Sequence, residues 1–556
     1  MRLIAAISAG RERPNHVDTG ASTPQRAFQG DGQRLWGIVA QLYALRSRRN
    51  WGHGDFTDLS HLVALAAARG ASAIGLNPLH ALFPDRAEQA SPYAPNSRLF
   101  LNPLYIDVEA IAEFPGVAAA GLAAEIAALR ATDMVAYERV ARAKLAALHL
   151  AHERFRNGAS AQRRAAFTAY RHKHNDALLR FSCFEVLRQR FAPEPWPQWP
   201  AAWRNPDDGR LQAFRREQDA DCEFHEFVQW VADSQLGACQ EASRRLGMPI
   251  GLYADLAVGI DRHGAGAWLQ QDVVLADVSI GAPPDEFNPG GQDWGLAPFN
   301  PHALPAHDFA AKRRLMDVIM RHAGAVRLDH VLGLKRIFMI PSDASAADGT
   351  YVRFPFEQLL RVISEESNRL SSIVIGEDLG TVPDNFRETL AQWGLWGCRV
   401  MLFEREADGR FRPPGSYPAE ALATFNTHDM ASFCGWLEGY DLRVKRAIGV
   451  DPGESDEARA KSQAALRDAL ARWAPSYAPD DIAAVAAFLG ATPSRLAVIA
   501  LDDVLGVRDQ INVPGTVDQH PNWRRRLPVA LEDMETHDGL ERVARAFSQA
   551  GRSFRT

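Results

Sequence analysis

Apolar residues along this chain fall into eight short runs, at 35–45, 71–79, 248–258, 325–331, 372–377, 398–403, 421–426 and 495–501. The runs have strand character. Between them lie stretches with helical spacing of apolar positions, for example 55–69, 309–322 and 356–368. Strand alternating with helix eight times predicts an α/β fold, a parallel (β/α)8 TIM barrel, over residues 31–528.

The spacing is uneven, and the excess marks insertions. About 170 residues separate the second run from the third, far more than one crossover helix needs. Ala- and Leu-rich helical patterns at 110–130, 135–156 and 165–191 predict a helical subdomain over 81–245, inserted after the second strand. It closes with Pro193-Glu194-Pro195-Trp196-Pro197-Gln198-Trp199-Pro200 and Trp203, where tryptophans set between prolines read as packing rather than as sugar platforms. Residues 281–299, rich in Gly, Pro and Asn, predict a long loop that covers substrate, within a loop region at 260–305. Residues 1–30 read as a flexible leader, and 529–556 as an amphipathic closing helix.

Three of the runs end in chemistry. Ala325-Val326-Arg327-Leu328-Asp329-His330-Val331 carries an Arg, an Asp and a His within four positions. Burying such groups costs several kcal/mol without partners, whereas at the C-terminal end of a barrel strand they face an active site. An Arg–Asp ion pair closing a strand would account for this stretch taken alone. However, Ser372-Ile373-Val374-Ile375-Gly376-Glu377-Asp378-Leu379-Gly380 and Ala423-Thr424-Phe425-Asn426-Thr427-His428-Asp429 repeat the design. Carboxylates delivered at the same end of three strands point to one site.

Composition excludes several classes. A net charge of −6 over 556 residues leaves no electrostatic footprint for nucleic acid or acidic membranes. Five scattered cysteines without a CxxC pair read as reduced thiols in a cytoplasmic protein. The apolar start, 3–10, is at the short limit of a signal peptide and runs straight into Arg11-Glu12-Arg13-Pro14, so it does not read as one. No apolar run approaches the ~20 residues of a membrane span. His225-Glu226 has Gln229 where a zinc-binding HExxH would place its second His, and neither a phosphate-cradling loop nor a G-x-S-x-G elbow occurs. No metal and no cofactor is expected.

The ordered motifs Arg327-Leu328-Asp329-His330, Gly376-Glu377-Asp378-Leu379-Gly380 and Asn426-Thr427-His428-Asp429 resemble those of the 4-α-glucanotransferases (amylomaltases), relatives of the α-amylases. Ser91-Pro92-Tyr93, residues 98–107, residues 281–285 with Trp294-Gly295-Leu296, Asn512-Val513-Pro514-Gly515-Thr516 and Pro521-Asn522-Trp523 extend the resemblance over about residues 36–527. Larger members of that family carry a module before the barrel, and this chain resembles the shorter form.

In a retaining glycosidase one carboxylate attacks the anomeric carbon and a protonated carboxyl ~5–5.5 Å away releases the leaving sugar. Asp329 and Glu377 on strands ~4.8 Å apart meet that requirement. Asp329 reads as nucleophile, kept ionised by Arg327 on the same face, and Glu377 as acid/base with a raised pKa. Asp429 reads as the third carboxylate, bonding sugar hydroxyls and stabilising the cationic transition state. The resemblance implies the same three roles. His330 and His428 are expected to donate to hydroxyls. Tyr93 stacks on a sugar or anchors its loop, and Asp255 bonds a hydroxyl or braces Arg327. Gln292 and Trp294 follow from the covering loop and the resemblance, which also implies that the turn carrying Asn512 borders the pocket. The residues alone lead only to a retaining α-glucan enzyme. The resemblance implies transfer, from an α-1,4-glucan donor to glucose or a maltooligosaccharide, over hydrolysis. All three carboxylates are present, which disfavours a non-catalytic glucan-binding protein.

Overall fold

The computed structural model describes residues 24–86, 89–284 and 290–554. Eight parallel strands close a barrel: β1 (Leu35–Ala40), β2 (Ala73–Leu76), β3 (Gly251–Leu256), β4 (Ala325–Leu328), β5 (Ile373–Gly376), β6 (Trp396–Val400), β7 (Ala421–Thr424) and β8 (Leu496–Ala500). Each pairs with its chain neighbours, and β8 closes on β1 with Leu35 opposite Leu496. Most strand residues are apolar and buried and fill the interior, while Asp255, Arg327 and Thr424 face the barrel mouth. Seven strands lie inside the predicted runs. The sixth starts two residues early, because Met401–Phe403, apolar like the strand, turns into a 3-10 helix.

Helix α1 (Phe56–Ala68) follows β1. Asp55 caps it by accepting from the amides of Thr57 and Asp58, and Asp58 closes a capping box. Within 81–245 the main helices are α2 (Ala123–Arg130), α3 (Tyr137–Gly158), α4 (Ala161–Arg190), α5 (Asp208–Glu217) and α6 (Asp219–Arg245). Trp199 is buried against Phe184, Phe191 and Trp268, so it packs the insertion. Helices α7 (Ala310–Met320) and α8 (Phe356–Leu370) precede β4 and β5.

Three expectations need correction. The 260–305 region is not a plain loop: Ile260–Asp261, Val278–Ala282 and Gln292–Ala297 join Arg336–Pro341 and Thr350–Arg353 in an antiparallel five-stranded sheet. Backbone pairing over a small apolar cluster of Ile280, Leu296, Ile337 and Met339 compensates there for the glycines. Of the 1–30 leader, residues 1–23 lie outside the described residues, but its end is docked. Ala27 is buried and donates to Trp393 O at 2.8 Å, while Gln29 accepts from Trp396 Nε1 at 3.0 Å. The closing helix is two pieces, Leu531–Met534 and α9 (Asp538–Gln549), whose Phe547 stacks on Trp36 of β1. Among the described residues no helix is long and apolar enough to cross a membrane.

Candidate active site

The strand register sets the site. Asp255 on β3 lies opposite Arg327 on β4, and Leu328 lies opposite Gly376 on β5. One residue on, Glu377 N donates to Leu328 O at 3.0 Å and Asp329 N to Leu256 O at 3.1 Å. Asp329 and Glu377 therefore emerge side by side from neighbouring strands. Gly376 makes this possible, because a Cβ there would lie 2.9 Å from Val331.

The expected residues assemble into two arms. In the first, Asn512 Nδ2 donates to Asp429 Oδ1 at 2.6 Å, and His428 Nε2 pairs with Asp429 Oδ2 at 3.3 Å. The His428 ring stacks on Tyr93 with centroids 4.9 Å apart, and Tyr93 OH donates to Asp255 Oδ2 at 2.6 Å. Arg327 Nη1 donates to both Asp255 oxygens at 2.8 Å and pairs with Asp329 Oδ1 at 3.1 Å. Asp255 thus braces Arg327, and one face of Tyr93 is taken by His428. In the second arm, His330 N donates to Glu377 Oε2 at 2.9 Å from a left-handed backbone (φ 47°). The Trp294 ring meets the His330 ring edge-on at 5.4 Å, and Trp294 Nε1 donates to Gln292 Oε1 at 3.0 Å. His330 thus contributes its amide as well as its imidazole.

Burial pushes the Asp329 carboxyl up to about 6, against the pull of Arg327. The pull of Arg327 is limited, because its near nitrogen is shared with Asp255, whose negative charge also raises Asp329. Burial pushes Glu377 further, to about 8; Arg327 opposes this, and the neighbouring Asp329 adds to it. Asp429, with its side chain 45 % exposed, goes the other way. Desolvation works against its charge, but His428 and the hydrogen bonds from His428 and Asn512 more than offset that and hold it below the usual range. Burial lowers the His330 imidazole to about 4, so it is neutral at neutral pH.

Some participants escape sequence reasoning. Trp523 packs against both Tyr93 and His428, at 5.5 and 5.1 Å between centroids, and Gln510 Nε2 ties Asp429 O to Asn512 O at 2.8 and 2.6 Å. Trp523 stands in one of the quoted motifs; nothing in the pattern around Gln510 marks it. Asp378, beside Glu377, points away. It is fully buried, accepts from Cys398 N at 2.7 Å and pairs with Arg387 and Arg399, fixing the peptide that carries Glu377. A cavity entering the barrel mouth is lined by Tyr93, Asp255, Arg327, Thr427 and His428.

The family model described as 4-alpha-glucanotransferase matches residues 40–532. The chain belongs to the 4-alpha-glucanotransferase family. It is 38% identical over 553 residues to the 4-alpha-glucanotransferase of Mycobacterium tuberculosis, covering 93% of this chain and 75% of that protein. It is 34% identical over 556 residues to the Haemophilus influenzae enzyme of the same name, covering 93% and 79%. The crystal structure of amylomaltase from Corynebacterium glutamicum superposes with a TM-score of 0.83 at 33% identity, covering 94% of this chain and 77% of that one. The protein is therefore an enzyme of the 4-alpha-glucanotransferase type, acting on α-glucans.

Proposed function

We propose that the enzyme moves a segment of an α-1,4-glucan to the 4-hydroxyl of glucose or another glucan by double displacement, with Asp329 as nucleophile and Glu377 as acid/base. The observation that carries this reading is the pair itself: two carboxyls one residue beyond paired strand ends, titrating near 6 and near 8. Around pH 7 Asp329 is charged and Glu377 holds its proton. An Asp329 oxygen bonds to the anomeric carbon as the glycosidic C–O bond breaks, and the departing O4 takes the Glu377 proton. The acceptor 4-hydroxyl then gives its proton to Glu377 and bonds to the same carbon, and the ester to Asp329 breaks. Two inversions leave the α configuration unchanged.

The charged Asp429 beside His428 and Asn512 suits hydroxyl recognition and stabilisation of the cationic transition state. Tyr93, Asp255 and Arg327 position the nucleophile. Gln292 and Trp294, on a strand of the accessory sheet against His330, are the groups that cover the glucosyl ester and favour a sugar acceptor over water. Incubation with maltotriose and no added cofactor tests the reading. A ladder of longer oligosaccharides with free glucose is expected, and Asp329→Asn should abolish it. Glucose and maltose without longer products would mean hydrolysis and defeat the transfer reading.

A further inference from the structure

A second, smaller cavity lies behind the catalytic strand end, lined by Arg98, Val258, Phe299, Lys312, Leu328 and Asp329 among others. Its volume is about 60 Å³. That is room for one or a few water-sized species. Two cations face it. Lys312 is 8 % exposed and Arg98 7 %. Among the described residues neither pairs with a carboxylate, and Lys312 has no hydrogen-bond acceptor. Arg98 spends Nη1 on two carbonyls, Ala257 O at 3.0 Å and Val258 O at 2.7 Å, with its guanidinium over the Phe299 ring at 5.0 Å.

Uncompensated buried charge costs several kcal/mol per ion. Here it is compounded, because Lys312 sits in the first turn of α7, where the helix dipole disfavours cations and favours anions; that end has no side-chain cap. The carboxylate lining the cavity, Asp329, is engaged by Arg327. We propose that this cavity binds a small monovalent anion, of the halide or nitrate class, between Lys312 and Arg98. Burial pushes Lys312 down to about 7, with the Arg98 charge adding to it, and Arg98 to about 10, a cost that such an anion relieves. The site touches the chemistry through one peptide. Arg98 clamps the 257–258 carbonyls, and Val258 N donates to Asp329 Oδ2 at 3.4 Å.

The test is thermal unfolding of the full chain in halide-free buffer, with sodium gluconate exchanged for sodium bromide or nitrate at constant ionic strength. The expected result is a saturable rise in melting temperature of ~1–3 °C over the millimolar range. Lys312→Met should lose that saturable response. A wild-type midpoint indifferent to bromide and nitrate, or an undiminished response in Lys312→Met, would overturn the proposal. Should that variant not fold, bromide-soaked crystals of the wild type decide. An anomalous peak within hydrogen-bond distance of Lys312 Nζ supports the site, and its absence there refutes it.

Discussion

A single nitrogen of Arg327, Nη1, donates to both carboxylate oxygens of Asp255 at 2.8 Å. What remains of that nitrogen's attraction reaches Asp329 at 3.1 Å, too little to outweigh the cost of burying the Asp329 charge. The nucleophile is thereby left close to neutral pH in its titration rather than locked as an anion.

Removing the brace should release it. In Asp255→Asn the Arg327 charge falls wholly to Asp329 and a neighbouring negative charge disappears, so the acidic limb of the kcat/KM profile should move below 6. Tyr93→Phe, which removes the hydroxyl donating to Asp255 Oδ2 at 2.6 Å, should move it less. A profile unchanged in Asp255→Asn would show that Arg327 does not divide its charge in this way.

Wild-type activity should be bell-shaped in pH. It rises as Asp329 ionises near 6 and falls as Glu377 loses its proton near 8. Glu377→Gln should remove the alkaline limb along with ~10²–10⁴-fold of the rate. An alkaline limb persisting in that variant would assign it elsewhere.

The same two groups should make the site destabilising at high pH. Both titrate above their unfolded values, so the folded chain holds more protons than the unfolded chain across the window up to about 8. Their contribution to stability is complete at low pH and is lost as pH rises through their folded pKa values. Glu377→Gln should therefore melt above the wild type by a margin that grows from pH 5 to pH 8, measured by scanning calorimetry. A constant or shrinking margin would contradict the raised Glu377 pKa.

Asn512→Ala deprives Asp429 of the hydrogen bond at 2.6 Å. A bond to a charged group is worth ~1.5–3 kcal/mol, which converts to a loss of ~10–100-fold in kcat/KM. Asp429 should also titrate higher, visible in a carboxyl NMR titration. Full activity would remove Asn512 from the site.

The barrel and its carboxylates are legible in the sequence because each barrel strand is a short apolar run and the charges stand out at its end. Arg327, Asp329, Glu377 and Asp429 are visible for that reason. The accessory sheet is not, since Val278–Ala282 and Gln292–Ala297 flank a Gly- and Pro-rich segment and gain their order from partners elsewhere in the chain. The sharing of Arg327 between Asp255 and Asp329 also escapes pattern reading, because it depends on register between strands 72 residues apart. Gln510 and Trp523 reach the site on a return loop whose apolar pattern follows no period.

The identity of the nucleophile is the central claim, and a trapped intermediate tests it most directly. Glu377→Gln, mixed with an α-maltosyl fluoride donor that needs no protonated leaving group, should accumulate the glycosyl ester, to be digested and mapped by mass spectrometry. The added disaccharide is expected on the peptide containing Asp329, and on that residue by fragmentation. Label on Asp429 instead, or turnover with no covalent adduct and inverted product, would contradict it.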